Sequence, residues 1–304
     1  MGANNITYSA AVQSDGKVVV GGRFTTMNAT NRNRIARLNS DGSLDNLFLP
    51  GIGPDGDVLA IAVQTDGKLL IGGSFRTING INRDGIARLN GDGNLDSTFD
   101  PGTNRNPAAV AIAIQSDGKI VVGGVQTIVN GTNLNNILRR NTNGSMDVQF
   151  SPSKANGSVY SVVVRPDGKI YVGGFFTSIN GASRNRIARL DADGSLDSSF
   201  DPGDGANDSV YSIAVQPDGN VLVGGAFTIL NGTVAWKIGR LFGDYPLLNI
   251  QRVNNHAVLS WQSPGYALQS APFPTATFTN VPDATSPYTN SASHTQQYFR
   301  LKSN

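Results

Sequence analysis

The chain contains no cysteine, which excludes disulfides, thiol nucleophiles and cysteine-based zinc sites. It has only two histidines, His256 and His294. They form no pair or triad at metal-ligand spacing, so a zinc centre or a histidine-based hydrolase is not expected. Charged residues make up 15% of the chain, and Lys plus Arg exceed Asp plus Glu by 24 − 22 = 2. So small and evenly spread an excess argues against a nucleic-acid partner. No apolar run approaches the ~18 residues of a membrane-spanning helix, so no membrane insertion is expected. Helix-period segments are also missing. The opening residues Met1-Gly2-Ala3-Asn4-Asn5 do not form a leader peptide.

Glycine is abundant instead, at 36 of 304 residues, without the three-residue period of collagen. Much of it falls into an internal repeat. Asp-Gly pairs begin at Asp15, Asp66, Asp117, Asp167 and Asp218, at spacings of 51, 51, 50 and 51. Gly-Gly pairs follow at Gly21, Gly72, Gly123, Gly173 and Gly224. An Ile-x-Arg segment then carries Arg37, Arg88, Arg139, Arg189 and Arg240. Asp45, Asp96, Asp147 and Asp197 close the first four units. A fixed period of about 50 residues with short strands reads as a propeller or a stacked array.

The fourth unit shows how one repeat folds. Residues 159–164 are a run of β-formers, and Pro166-Asp167-Gly168 turns the chain. Proline presets φ, aspartate caps the turn and glycine takes positive φ. Residues 169–172 make a second strand that Gly173-Gly174 ends. A longer loop turns at Asn180-Gly181 before the third strand, 186–190. Asp193-Gly194 makes another hairpin into a short fourth strand, 196–200. The expected fold is therefore all-β: a five-bladed β-propeller of four-stranded blades over 1–244, followed by a small β-sandwich-like module over 245–304. About 250 residues of repeat suffice for a closed ring, with a β-solenoid as the runner-up. In the last segment, Trp261 and Phe299 read as core anchors.

Two irregularities break the pattern. In repeat three, Gln126 stands where Phe75, Phe176 and Phe227 occur elsewhere, and Asn143 replaces a turn aspartate. In repeat five, Leu248 stands where the partner of Arg240 belongs, so its fourth strand is missing, altered or supplied by 245–250.

The candidate residues sort by whether they repeat. Arg37 and Asp45, Arg88 and Asp96, Arg139 and Asp147, and Arg189 and Asp197 are each eight apart. Across a hairpin this spacing brings guanidinium to carboxylate, so these are expected to be structural ion pairs. Lys169 precedes the glycines and lies between strands, which fails the requirements of a phosphate loop. Asp191, Asp193 and Asp197 place several oxygens close together, the chemistry a calcium ion takes. That loop is shorter than an EF-hand and lacks its final glutamate, so plain turn chemistry is its expected role. No other cofactor is indicated, and no catalytic residue stands out. Contacts to a ligand are expected from loops at one rim: Leu134, Asn135 and Asn136, which do not repeat, and Asn180 to Asn185.

The unit, ending in N-R-I-A-R-L-x-x-D-G-S-L-D-x-x-F, resembles the delta-60 repeat, a β-propeller repeat of bacterial secreted and surface-type proteins. Its strand layout is also similar to the NHL repeat. The resemblance covers residues 1–242, and the last segment resembles the small β-sandwich that follows such repeats. It implies an extracellular or cell-surface protein whose leader is absent from this sequence. It carries over no chemistry residue by residue. Two functions fit: a non-catalytic binding or structural propeller presenting loops to a protein or glycan, or a hydrolase or lyase acting on a polysaccharide in a central channel. Oligomeric state is not legible.

Overall fold

The computed structural model describes residues 2–102, 108–125, 128–129, 132–133, 136–150, 154–243, 248–254, 256–261, 266–291 and 297–303. Leu134, Asn135 and Gln126 lie outside them. The described residues are all-β. No helix among them is long and apolar enough to cross a membrane. Contacts divide the chain into two compact units. One comprises residues 1–215 and 222–241, and the other comprises 216–221 and 242–304.

Each repeat folds as a three-stranded antiparallel sheet in sequential order. In blade one the strands are Thr7–Val12, Val18–Gly22 and Ile35–Leu38. Blade two has Val58–Val63, Leu69–Gly73 and Ile86–Leu89, and blade three has Ala109–Ile114, Ile120–Gly124 and Ile137–Arg140. Blade four has Ser158–Val164, Ile170–Phe175 and Ile187–Leu190, and blade five has Val210–Val215, Val221–Gly225 and Ile238–Leu241. The fourth strand contracts to single bridges, Leu38 to Leu44, Leu89 to Leu95, Arg140 to Met146 and Leu190 to Leu196. The segment after each bridge holds its position through side chains rather than a ladder. The loop read around each Asn-Gly turn contains a miniature hairpin, such as Ser178–Ile179 with Ala182–Ser183. Asn180, at φ 53, sits in its turn, in the left-handed region that asparagine tolerates better than most residues.

The blades stack face to face, and the core lies between them. Val19, Ile35 and Phe48 of blade one pack with Val58, Leu69 and Ile71 of blade two. Leu70, Ile86 and Phe99 meet Ala109, Ile120 and Val122 at the next junction. Val121, Ile137 and Phe150 meet Val159, Ile170 and Val172 at the one after. Burial on both faces accounts for the continuous apolar runs. It also explains the second-strand glycines. A Cβ on Gly72 would stand 2.9 Å from the Ala109 backbone oxygen, and one on Gly173 would stand 2.7 Å from Val210.

Blade five departs from this scheme on its outward face. Ile238 is 67% exposed, whereas Ile35, Ile86, Ile137 and Ile187 are at most 1% exposed. The space above Gly224 is open apart from its own blade's Lys237 oxygen at 3.8 Å. That face is therefore not seated against another blade, as a closed ring would require.

In the second unit, Asn249–Val253, His256–Ser260 and Tyr288–Ser291 form one sheet. Thr279–Asn280, Tyr266–Ala271 and Tyr298–Ser303 form another. Leu259, Trp261 and Leu268 are buried together, with Phe299 packed against them. Residues 249–253 thus pair within this module, and residues 245–247, read as part of a fourth strand for blade five, lie outside the described residues.

Candidate functional site

The repeated polar residues form a clamp in each of the first four blades. Arg37 Nε lies 2.8 Å from Asp45 Oδ2, and Lys17 Nζ lies 2.9 Å from the same oxygen. The arrangement recurs at Arg88, Asp96 and Lys68, at Arg139, Asp147 and Lys119, and at Arg189, Asp197 and Lys169. The other carboxylate oxygen accepts a backbone N–H two residues on, as from Leu47 and Ser199. Each guanidinium also stacks on the aromatic ring that ends its repeat, 4.8 Å from Phe48, 5.0 Å from Phe99, 4.6 Å from Phe150 and 5.2 Å from Phe200. In the first three blades its free end reaches the next blade, as where Arg88 Nη1 donates to the Thr142 carbonyl at 2.6 Å, whereas Arg189 Nη1 donates to the Tyr171 hydroxyl of its own blade at 3.1 Å.

This environment fixes the carboxylates as ions. Burial alone would raise the Asp45 carboxyl, but donation from Lys17, the Leu47 backbone and Arg37 outweighs it and holds it at about 2. Asp96, Asp147 and Asp197 are lowered by the same balance. Burial opposes the charge on Lys169, yet Asp191 and Asp197 raise its pKa overall. Lys169, read as the first residue of the second strand, is therefore the second cation of the clamp.

The calcium candidates are committed to protein donors. Asp191 holds Lys169 at 2.6 Å, Asp193 accepts from the Ser195 hydroxyl at 2.7 Å, and Asp197 holds Lys169 and Arg189. Among the described residues no three acidic or histidine side chains are grouped to hold a metal ion. These carboxylates belong to hairpin turns and the clamp.

The loop candidates separate. Asn136 is buried, and its amide donates to the Ala155 and Gly157 carbonyls at 3.2 and 2.8 Å, tying blade three to the following linker. Asn180 is exposed and caps the Lys154 N–H at 2.9 Å. Asn185 lines a cleft of about 340 Å³ between blades four and five, together with Arg186, Asp204, Asn207, Ile229 and Gly232. Asn185 Nδ2 donates to the Asp204 carbonyl at 3.0 Å. Asn207 accepts from the Thr228 and Ile229 N–H groups, at 2.9 and 3.0 Å, which fixes the cleft's floor.

The Asn-Arg-Asp combination at this cleft occurs once. The matching positions at the first junction are Asn33, Arg34 and Ile52, and at the second Asp84, Gly85 and Thr103. Sequence reading reached Asn185 but missed Arg186 and Asp204. Aligning the repeats by residue type at each position, rather than by motif alone, would have exposed both. It would also have exposed Arg140, which is fully buried where four other blades carry leucine. Arg140 Nη1 donates to the Pro101 and Gly144 carbonyls, and burial lowers its pKa to about 10 against the opposing pull of Asp100.

Five repeated sheets stacked through their faces, followed by a smaller β module, define a β-propeller-like protein. The repeats give its family. The chain belongs to the DUF5122 β-propeller family, a domain of unknown function, which matches residues 13–48, 64–99, 115–150, 165–200 and 216–244. No curated protein matches the chain. Among solved structures it is similar to a protein of unknown function from Bacteroides caccae, at 16% identity and a TM-score of 0.44, over 76% of this chain and 80% of that one. It is also similar to PorZ, a surface component of the type-IX secretion system of Porphyromonas gingivalis, at 12% identity and a TM-score of 0.47. That likeness covers 97% of this chain but 40% of PorZ.

Proposed function

We propose that this chain is a non-catalytic binding propeller of an exported or cell-surface bacterial protein, and that its inter-blade loops take a glycan or a protein. The observation that carries this reading is the cleft between blades four and five. It places a carboxylate, Asp204, beside Asn185 and Arg186, at a position where the first two junctions carry Ile52 and Thr103. Ligand contacts belong where a repeat protein stops repeating, because the repeated positions already hold the blades together. The resemblance to the delta-60 repeat, with its NHL-like layout, supports the extracellular placement.

The competing reading is a polysaccharide hydrolase or lyase. Glycoside hydrolysis needs one carboxyl with a raised pKa to act as acid. The buried repeat carboxylates are shifted the opposite way. The test is a glycan array and a protein pull-down, each with and without calcium, beside a hydrolase and lyase screen on polysaccharides. Binding without turnover, unchanged by chelation, is the expected result. Chain cleavage by the purified protein would overturn it.

A further inference from the structure

Arg186 holds a conformation that favours glycine. Its φ is 66, and the equivalent position in the second repeat is glycine, Gly85, at φ 89. The backbone there requires no side chain, and a non-glycine residue is strained. Arg34 and Lys237 share the conformation, at φ 63 and 67, but both use their side chains locally. Arg34 Nη1 donates to the Pro54 carbonyl at 2.9 Å, and Lys237 Nζ to the Ala226 carbonyl at 2.9 Å. Among the described residues, Arg186 Nη1 reaches only the Phe176 carbonyl, at 3.5 Å, the long limit of a hydrogen bond. Its Nε is buried without a partner, as that of Arg34 is. No carboxylate pairs with Arg186 among the described residues.

The guanidinium is nevertheless held in place. It lies 5.0 Å over the ring of Phe175. Phe175 stands where the other repeats have Arg23, Ser74, Val125 and Ala226. This shelf therefore exists in blade four alone. A stacked planar cation loses less freedom when it binds a ligand. Beside it in the cleft, Asn185 has spent its amide N–H on the Asp204 carbonyl, which leaves Oδ1 as an acceptor. The Asp204 carboxylate makes no hydrogen bond among the described residues. The volume is at the low end of ligand pockets, about 300–1,000 Å³.

We infer that this cleft is a carboxylate-reading subsite, and that the ligand it takes is an acidic glycan, a uronate-bearing oligosaccharide. The guanidinium fork matches a carboxylate at two points. Asn185 Oδ1 and Asp204 accept from sugar hydroxyls. The negative charge of Asp204 works against a bare anion, so the site favours a ligand that brings hydroxyl donors together with its carboxylate. The inference rests on the binding reading above and narrows its ligand.

The test is calorimetry on the full chain with oligomers of galacturonate, glucuronate and mannuronate, each beside its carboxyl-reduced neutral counterpart. At least one acidic oligomer binds, and its neutral counterpart binds at least roughly tenfold more weakly. Arg186→Gly loses roughly tenfold to a hundredfold for the acid form, the worth of a charged hydrogen-bonded pair. It leaves the melting temperature no lower, because glycine suits that φ. Arg186→Lys keeps the charge but not the fork, and falls between the two. Equal binding of acid and neutral forms, or an unchanged Arg186→Gly, overturns the inference. Binding of neutral glycans, an acidic peptide or another protein, with no uronate bound, overturns it and leaves the binding reading standing. No binding of any glycan or protein overturns both.

Discussion

Arg189 Nε lies 2.6 Å from Asp197 Oδ2 with both side chains buried, and Lys169 Nζ meets the same oxygen at 2.8 Å. One carboxylate in the segment after the third strand thus ties together the start of the second strand and the middle of the third. The segment has only a single backbone bridge of its own, Leu190 to Leu196. The side-chain clamp does there what a fourth ladder strand would otherwise do. Blade five keeps only the arginine of the clamp. Leu248 replaces the aspartate, Asn220 replaces the lysine, and Arg240 is exposed.

Breaking a clamp leaves two cations facing a buried space. Asp96→Ala strands Arg88 and Lys68 and is expected to lower stability by about 3–5 kcal/mol, the usual cost of removing one partner of a buried pair. Asp92→Ala removes an exposed turn carboxylate that accepts from the Asn94 backbone and side chain, and costs about 1 kcal/mol or less. Urea unfolding of both variants checks the contrast. Equal shifts in midpoint would show that the clamp is ornamental.

The same carboxylates set the acid limit. Their pKa values are depressed in the folded chain, to about 2 for Asp45, against about 3.9 when unfolded. Groups shifted this way contribute stability that is complete above the unfolded value and lost as pH falls through the folded one. The melting temperature is therefore expected to stay level from pH 7 to 5 and to fall steeply below about pH 4. Calorimetry across that range decides it. A main loss between pH 7 and 5 would assign the limit to other groups.

Local chemistry was the readable part of this fold. Asp-Gly and Asn-Gly turns depend on neighbouring residues, and the eight-residue interval from Arg37 to Asp45 spans one hairpin, so both announce themselves in sequence. Lys17 and Asp45 are 28 residues apart, and their meeting depends on strand register rather than local pattern. The ring under each guanidinium had been read only as the end of a strand. The fourth strand was over-read, because residues such as Leu196 to Phe200 look β-forming whether or not a ladder exists to receive them. At the cleft, Asn185 stood out as a loop residue. Arg186 was absorbed into the predicted third strand, and only its positive φ separates it from that strand.

The Asn180 turn offers a test of conformation apart from contact. Its φ of 53 disfavours a residue with Cβ branching, and its Oδ1 caps the Lys154 N–H. Asn180→Gly keeps the backbone and loses only the cap, at about 1 kcal/mol. Asn180→Val loses the cap and adds left-handed strain of roughly 1–2 kcal/mol. The ordering of the two by thermal unfolding is the measurement. A valine variant as stable as the glycine variant would remove strain from the account.

The glycines at the ends of the second strands separate a packed blade from an unpacked one. A Cβ at Gly72 would stand 2.9 Å from the Ala109 oxygen, which is backbone and cannot turn aside, and 2.9 Å from the Ala109 Cβ. Gly72→Ala therefore forces two blades apart and is expected to cost about 1–3 kcal/mol. At Gly224 the added methyl meets nothing closer than the Lys237 oxygen at 3.8 Å. Its φ is not positive, so alanine also reduces the freedom of the unfolded chain. Gly224→Ala is expected to be neutral or to stabilise by up to about 1 kcal/mol. The two substitutions are chemically identical and sit at equivalent places in the repeat, so the difference in melting temperature reads the presence of a neighbouring blade. A loss at Gly224 as large as that at Gly72 would mean that blade five's outward face is covered in solution.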